Sequence, residues 1–276
     1  MVNKKMEMSR SKIISILLGL SLVLTCSASA LVDNNQDPDA NLASGIIDSR
    51  IVKENIQNFI GSANETITSH GIKELPTGEV FEITTKNGRF YVNTTTGEIE
   101  SAIIRNGLSA SSIKADDLDH MKDQVMTFVK KHYKNFRSKN MVLTESKIID
   151  HGDAGKEYLF IWNEIIGETY TMSTVQIAVL PNWDNSITYI GIDRPLLIDP
   201  TPKVAKEDAQ QKALQVFNMN LSAETQSRLV IIPYENNQKL VWRIKTVELD
   251  NNNTSHGGTV IVDAVSGNVL STNPLQ

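Results

Sequence analysis

Residues 88–102 read GRFYVNTTTGEIESA, and residues 257–272 read GGTVIVDAVSGNVLST. In both, an alternating apolar run meets an Asx residue, a glycine follows four positions later, and a second alternating run closes the stretch. Alternation of period two marks a strand with one buried face. The Asx side chain can accept N–H groups across a turn, and the glycine supplies the positive φ needed where the chain doubles back. Each stretch is therefore predicted to be a bulged antiparallel hairpin, with Asn93 and Gly97 as the structural residues of one and Asp263 and Gly267 of the other. A middle stretch, Val179-Leu180-Pro181-Asn182-Trp183-Asp184-Asn185-Ser186-Ile187, keeps the outline, one residue longer and without the glycine. A chain that repeats its hairpin is expected to repeat the unit around it.

Each hairpin has a helix upstream. DSRIVKENIQNFIG (48–61) carries apolar residues at helical spacing, with Asp48 as N-cap and Gly61 as stop. From Ala115, the residues Leu118, Met121, Val125, Phe128, Val129, His132 and Phe136 run down one face of a longer predicted helix of about six turns. The third helix lies in DPTPKVAKEDAQQKALQVF, where Ala205, Ala209 and Ala213 offer small packing residues. Short alternating runs separated by turn residues follow each helix, among them the Asn87-Gly88 hairpin signal. The predicted class is α+β: tandem units, each of one helix packed on a three- to four-stranded antiparallel sheet. The unit boundaries are placed at 45–107, 110–198 and 199–276.

The N-terminus reads differently. Lys4, Lys5, Arg10 and Lys12 precede the apolar run Ile13–Leu24, and Ala28-Ser29-Ala30 follows. That is the layout of a secretory signal peptide (1–30), with cleavage between Ala30 and Leu31, followed by a flexible lead-in over 31–44. The apolar run is short of the ~20 residues a membrane span needs. The only cysteine, Cys26, follows Val23-Leu24-Thr25, which lacks the small residues a lipidation signal wants. The predicted location is outside the cell or in its envelope. Formal net charge is −5, and removal of four basic residues and Glu7 with the leader brings it to −8. A chain so acidic, with no basic run beyond Lys130-Lys131, repels phosphate backbones, so nucleic acid is not an expected partner. Asn64, Asn93, Asn220 and Asn253 each begin an Asn-x-Ser/Thr acceptor pattern and are the candidate glycosylation sites.

The segment Pro202–Thr272 carries the KEDAQQKAL helix, the run KLVWRIKTVEL and the closing VDAVSGNVL. It resembles the PepSY domain, with Val262, Asp263, Ala264, Ser266, Gly267 and Val269 on the family's pattern, and the resemblance implies a cystatin-like or PepSY-like fold for the units. Residues 115–200 look like a divergent, longer relative, and residues 45–106 are similar in their helix and final hairpin. PepSY domains are similar to the propeptides of thermolysin-like metallopeptidases. The resemblance implies a secreted or envelope binding module that restrains or modulates a peptidase or another protein partner, and it carries over no catalytic residue.

Reading the residues for chemistry gives no reactive constellation. No HExxH, GxSxG or phosphate loop occurs, and the five histidines, His70, His120, His132, His151 and His256, show no ligand spacing. Asp250–Ser255 opens like an EF-hand loop, but Ser255 stands at the glycine position and Ile261 where the bidentate Glu belongs. Trp162 and Trp242 alternate within apolar runs as core residues, whereas Trp183 sits in a turn. No catalytic residue, metal ligand or cofactor is expected. Two other readings stand beside the binding module: a structural or adhesive surface component, and a hydrolase with a site assembled across units from residues such as Asp150, His151 and Asp153.

Overall fold

The computed structural model describes residues 47–61, 66–75, 78–106, 117–182, 185–219, 224–235, 237–249 and 255–275. The leader with Ala30 and Leu31, the lead-in, Asn64, Asn220, Asn253, Trp183 and most of the Asp250–Ser255 loop lie outside them.

Asp48 starts the first helix by accepting the Arg50 backbone N–H at 2.8 Å, satisfying one of the orphan donors of the first turn. Helix α1 runs Ser49–Ile60 and ends at Gly61, whose φ of 74° is the left-handed cap a glycine adopts freely. Its buried stripe is Val52, Ile56 and Phe59. Four strands follow: β1 (Ile67–Leu75), β2 (Gly78–Thr85), β3 (Gly88–Asn93) and β4 (Ile99–Ile104). Helix α2 (Leu118–His132) buries Met121, Val125 and Val129. It is shorter than the periodicity suggests. Tyr133 leaves the helix in extended conformation, its hydroxyl donating to the Ile192 carbonyl at 3.1 Å, and Phe136 lies beyond, against Trp162. Then come β5 (Met141–Asp150), β6 (Lys156–Ile166), β7 (Thr169–Leu180) and β8 (Ser186–Ile192). Helix α3 (Lys206–Val216) lays Ala209 and Ala213, both fully buried, against β9 (Glu224–Tyr234), β10 (Asn237–Leu249) and β11 (Ser255–Asp263), and β12 (Val269–Pro274) closes the chain. The small side chains let the helix axis approach the sheet closely.

The helix-then-antiparallel-strands order matches the sequence reading, but the sheets are not separate. All twelve strands of the described residues belong to one sheet, ordered β1-β2-β3-β4-β8-β7-β9-β10-β11-β12, with β5 and β6 added beside β7. Strand β4 pairs antiparallel with β8, from Ser101 opposite Ile190 to Ile104 opposite Ile187. Strand β7 meets β9 in a short parallel contact, Thr169 with Leu229 and Tyr170 with Val230. The cause is general: a strand edge left open presents unpaired N–H and C=O groups that another edge satisfies.

Burial follows the joins. One core takes in α1, α2 and the inward faces of β2–β4 and β6–β8. Phe59 of α1 holds it together, edge-on to Phe90, Phe128 and Tyr189 with centroids 5.2–6.2 Å apart. A second core lies between α3 and β9–β11, around Trp242 and Ile244. The linker after β8 is tied to both sides. Gln238 donates to the Pro195 carbonyl and accepts from the Leu197 N–H, while Thr169 donates to the Pro200 carbonyl at 2.8 Å.

Candidate functional site

The repeated hairpin is the best-built local feature, and its two copies match bond for bond. In the first, Asn93 Oδ1 accepts the N–H groups of Thr95 and Thr96, both at 2.9 Å. In the second, Asp263 Oδ1 accepts those of Val265 and Ser266, at 2.8 and 2.9 Å. Gly97 and Gly267, with φ of 71° and 76°, return their N–H to the Asn93 and Asp263 carbonyls. A one-residue register shift follows in each ladder, at Tyr91/Val92 and at Ile261/Val262. The helices reach the same point. Asn55, the seventh residue of α1, donates to the Gly97 carbonyl at 2.7 Å, and Lys212, the seventh of α3, donates to the Gly267 carbonyl at 2.5 Å. The residue two before each helix, Ile47 or Val204, donates its N–H to the residue after the Asx. Helix and hairpin thus form one clasp, made twice.

Burial alone would push the Asp263 carboxyl up, but the Ser266 and Val265 N–H groups and Lys239 outweigh it and hold the pKa below its ordinary value. Asn93 is equally committed: its Nδ2 donates to Glu100 at 3.0 Å while Oδ1 closes the turn.

A polar cluster that the sequence reading did not pick out lies where β4, β6, β7 and β8 converge. Lys139 Nζ is 2.6 Å from Asp193, 3.1 Å from Glu164 and 2.8 Å from Ser173 Oγ. Asn135 Nδ2 donates to the other Asp193 oxygen, and Thr171 donates to Glu164. Arg194 joins the cluster to β4 by donating to Glu100 at 2.8 Å. Burial would raise the Asp193 pKa; donation from Lys139 and Asn135 brings it below normal instead. A serine beside a lysine is one arrangement for nucleophilic catalysis, but the base must accept a proton. Here the lysine N–H groups are given to two carboxylates and to Ser173 itself, and Ser173 is fully buried. The cluster ties β4 to β6, β7 and the segment just after β8.

The histidines are dispersed. His151 Nε2 lies 2.8 Å from buried Glu157, while Asp150 accepts the Gly152 N–H to close the turn, so Asp150, His151 and Asp153 do not converge on one point. His132 sits between Phe59 and Phe128, 4.3 Å from each ring centroid, and burial drops its pKa to about 4, with Lys131 adding to the effect. His70 and His256 are exposed on β1 and β11. Among the described residues, no three His, Cys, Asp or Glu side chains are placed to hold a metal ion. Trp162 and Trp242 are core residues, the indole of Trp242 donating to the Val204 carbonyl at 2.9 Å. Two shallow grooves of about 360 and 380 Å³ lie beside the second clasp and beside Phe59 and Phe128.

Residues 203–273 thus form a helix clasped onto an antiparallel sheet, an α+β module whose Asp263 and Gly267 hold its own turn. That segment matches the family described as peptidase propeptide and YPEB domain over residues 203–273. The chain is also similar in structure to the Bacillus megaterium YpeB C-terminal domain, at 17% identity and a TM-score of 0.45, over 84% of this chain and 100% of that one. No curated protein matches it. Among the described residues, no helix is long and apolar enough to cross a membrane.

Proposed function

We propose that this chain is a non-enzymatic binding protein built from tandem PepSY-like units, whose partner is a protein, with a secreted or envelope peptidase the natural candidate. The observation that carries the reading is the PepSY match over 203–273, a family described by its occurrence in peptidase propeptides. The clasp supports extending the unit beyond that segment, because 47–104 repeats its bonds at equivalent positions. The middle unit, 110–198, keeps the helix and sheet without the Asx-to-Gly turn.

Secretion follows from the leader, with cleavage between Ala30 and Leu31, and Asn64, Asn93, Asn220 and Asn253 are the candidate acceptors for glycosylation outside the cell. The test is to mix the purified mature chain with envelope peptidases and follow both substrate cleavage and complex formation. A slowed or stabilised peptidase in a stable complex is expected. Unchanged rates with no complex, across the peptidases of the same envelope, would overturn the reading.

A further inference from the structure

The face of the PepSY sheet turned away from α3 carries a charge arrangement that folding alone does not favour. Register places Arg228 of β9 directly opposite Arg243 of β10. Lys245 follows Arg243 on the same face, opposite Gln226 and Thr259. All three cations are exposed. None has a carboxylate within ion-pair reach among the described residues, although the chain as a whole is acidic, at −5. Like charges directly opposite across two strands repel and destabilise a sheet. One of the pair is also held in place, the Arg228 guanidinium lying 4.5 Å from the centroid of the Tyr170 ring, a contact across the junction between β7 and β9. Around them stand Gln226, Asn273 and half-buried Ile261, which offer hydrogen bonds and one apolar contact.

We infer that this face binds an extended acidic segment of a partner polypeptide. Arg243 and Lys245 are two residues apart on one strand, so they repeat every ~6.7 Å, the spacing of alternate side chains in any extended chain. Carboxylates at alternate positions of such a segment therefore meet Arg243 and Lys245 in register, with Arg228 reaching in from the next strand. Arginine suits the task because its planar fork pairs with a carboxylate through two hydrogen bonds. The rest of the molecule selects against longer polyanions. Screening confines the attraction to roughly 8 Å at physiological ionic strength, and the acidic net charge of the chain disfavours a phosphate polymer or anionic bilayer that extends past the patch. The inference rests on the proposed function in one respect, that the partner is a protein, and it names the surface that partner meets.

The full mature chain is titrated with a labelled peptide of about ten residues that alternates Glu with Thr, and with the same peptide carrying Gln for Glu. The double variant Arg243→Glu/Lys245→Glu is titrated in parallel. Binding of the Glu peptide at low salt is expected, weaker by about tenfold or more for the Gln peptide and for the double variant, and falling as salt is raised. A separate variant, Arg243→Gln, is expected to keep or raise the melting temperature while losing affinity, because it removes the repulsion opposite Arg228; a purely structural role would lower the melting temperature. Equal peptide affinity in the double variant, no binding by the wild type, or tighter binding of polyphosphate or anionic vesicles than of the peptide would each overturn the inference. A peptidase complex that the double variant retains overturns it too, and leaves the proposed function standing. Binding of the acidic peptide without any peptidase complex upholds this surface and removes that reading instead.

Discussion

Replacing Gly191 by alanine puts a methyl group where the Tyr189 ring already lies. The two residues share one face of β8, and the tyrosine folds along the strand. A Cβ at 191 would overlap its hydroxyl oxygen and Cζ and come within 3.0 Å of Cε1. Tyr189 is 1% exposed and is wedged between Phe59 and Phe128, so the ring has nowhere to retreat. Overpacking of a closed core costs ~3 kcal/mol, and for a chain of this size that lowers the melting temperature by roughly 6 °C. The argument turns on one contact, so a double-mutant cycle decides it. Tyr189→Leu leaves a cavity and costs about 3 kcal/mol alone, but it also vacates the space an alanine at 191 needs. The double variant should then be about as stable as Tyr189→Leu by itself, a coupling of roughly 3 kcal/mol between the two sites. Thermal and urea unfolding followed by circular dichroism measures all four proteins. Costs that simply add, to within about 0.5 kcal/mol, would show that the alanine is accommodated by movement elsewhere and would refute the steric reasoning.

Lys139→Met strips the cation from Glu164 and Asp193 while leaving both carboxylates mostly buried, and a loss of about 3–5 kcal/mol is expected, partly recovered as acid protonates them; thermal melts across pH would reveal it. The folded-state pKa of His132 lies near 4, below its ordinary 6.5, so stability is full above that ordinary value and is lost as pH falls toward 4. The shift corresponds to ~3 kcal/mol at most, reduced to about 2 kcal/mol by the water that still reaches a half-buried ring; urea midpoints between these limits should show the decline, and His132→Phe should flatten it. Gly97→Ala should cost more than Gly267→Ala: both force an alanine to positive φ at ~1–2 kcal/mol. At 97 the new methyl comes 2.5 Å from Ile47 Cδ1 and 3.3 Å from Asn55 Nδ2, whereas at 267 the nearest atom is Lys212 Nζ, 2.8 Å away at the end of a long unbranched side chain. Equal losses in the two melting curves would contradict that difference.

Much of the local structure is legible in the chain because it depends on residues close in sequence. The Asp48 cap, the Gly61 stop and the Asx-to-Gly turns at 93–97 and 263–267 are each made by groups within a few positions of one another, so residue type and spacing suffice to foresee them. The core positions of Trp162 and Trp242 were equally readable from alternation. The second helix was read too long because Phe136 continues the apolar spacing, although it packs on Trp162 from a turn. The Lys139 cluster left no trace in the sequence. Its members, Glu100, Lys139, Glu164, Ser173, Asp193 and Arg194, are scattered over several elements, and no periodicity links them.

Sequence by itself determined the repeated helix-and-hairpin plan, the acidic overall charge and the resemblance of residues 203–273 to the PepSY family. Tertiary structure alone decided that β4 finds β8 and β7 finds β9, which turns separate units into one sheet with two cores. It also decided that Arg228 and Arg243, fifteen positions apart in the chain, stand face to face. The physical reason is the same in both cases. Turns and caps are settled by bonds a few residues long, whereas the meeting of strand edges and the register between strands depend on which surfaces remain open once the whole chain has packed.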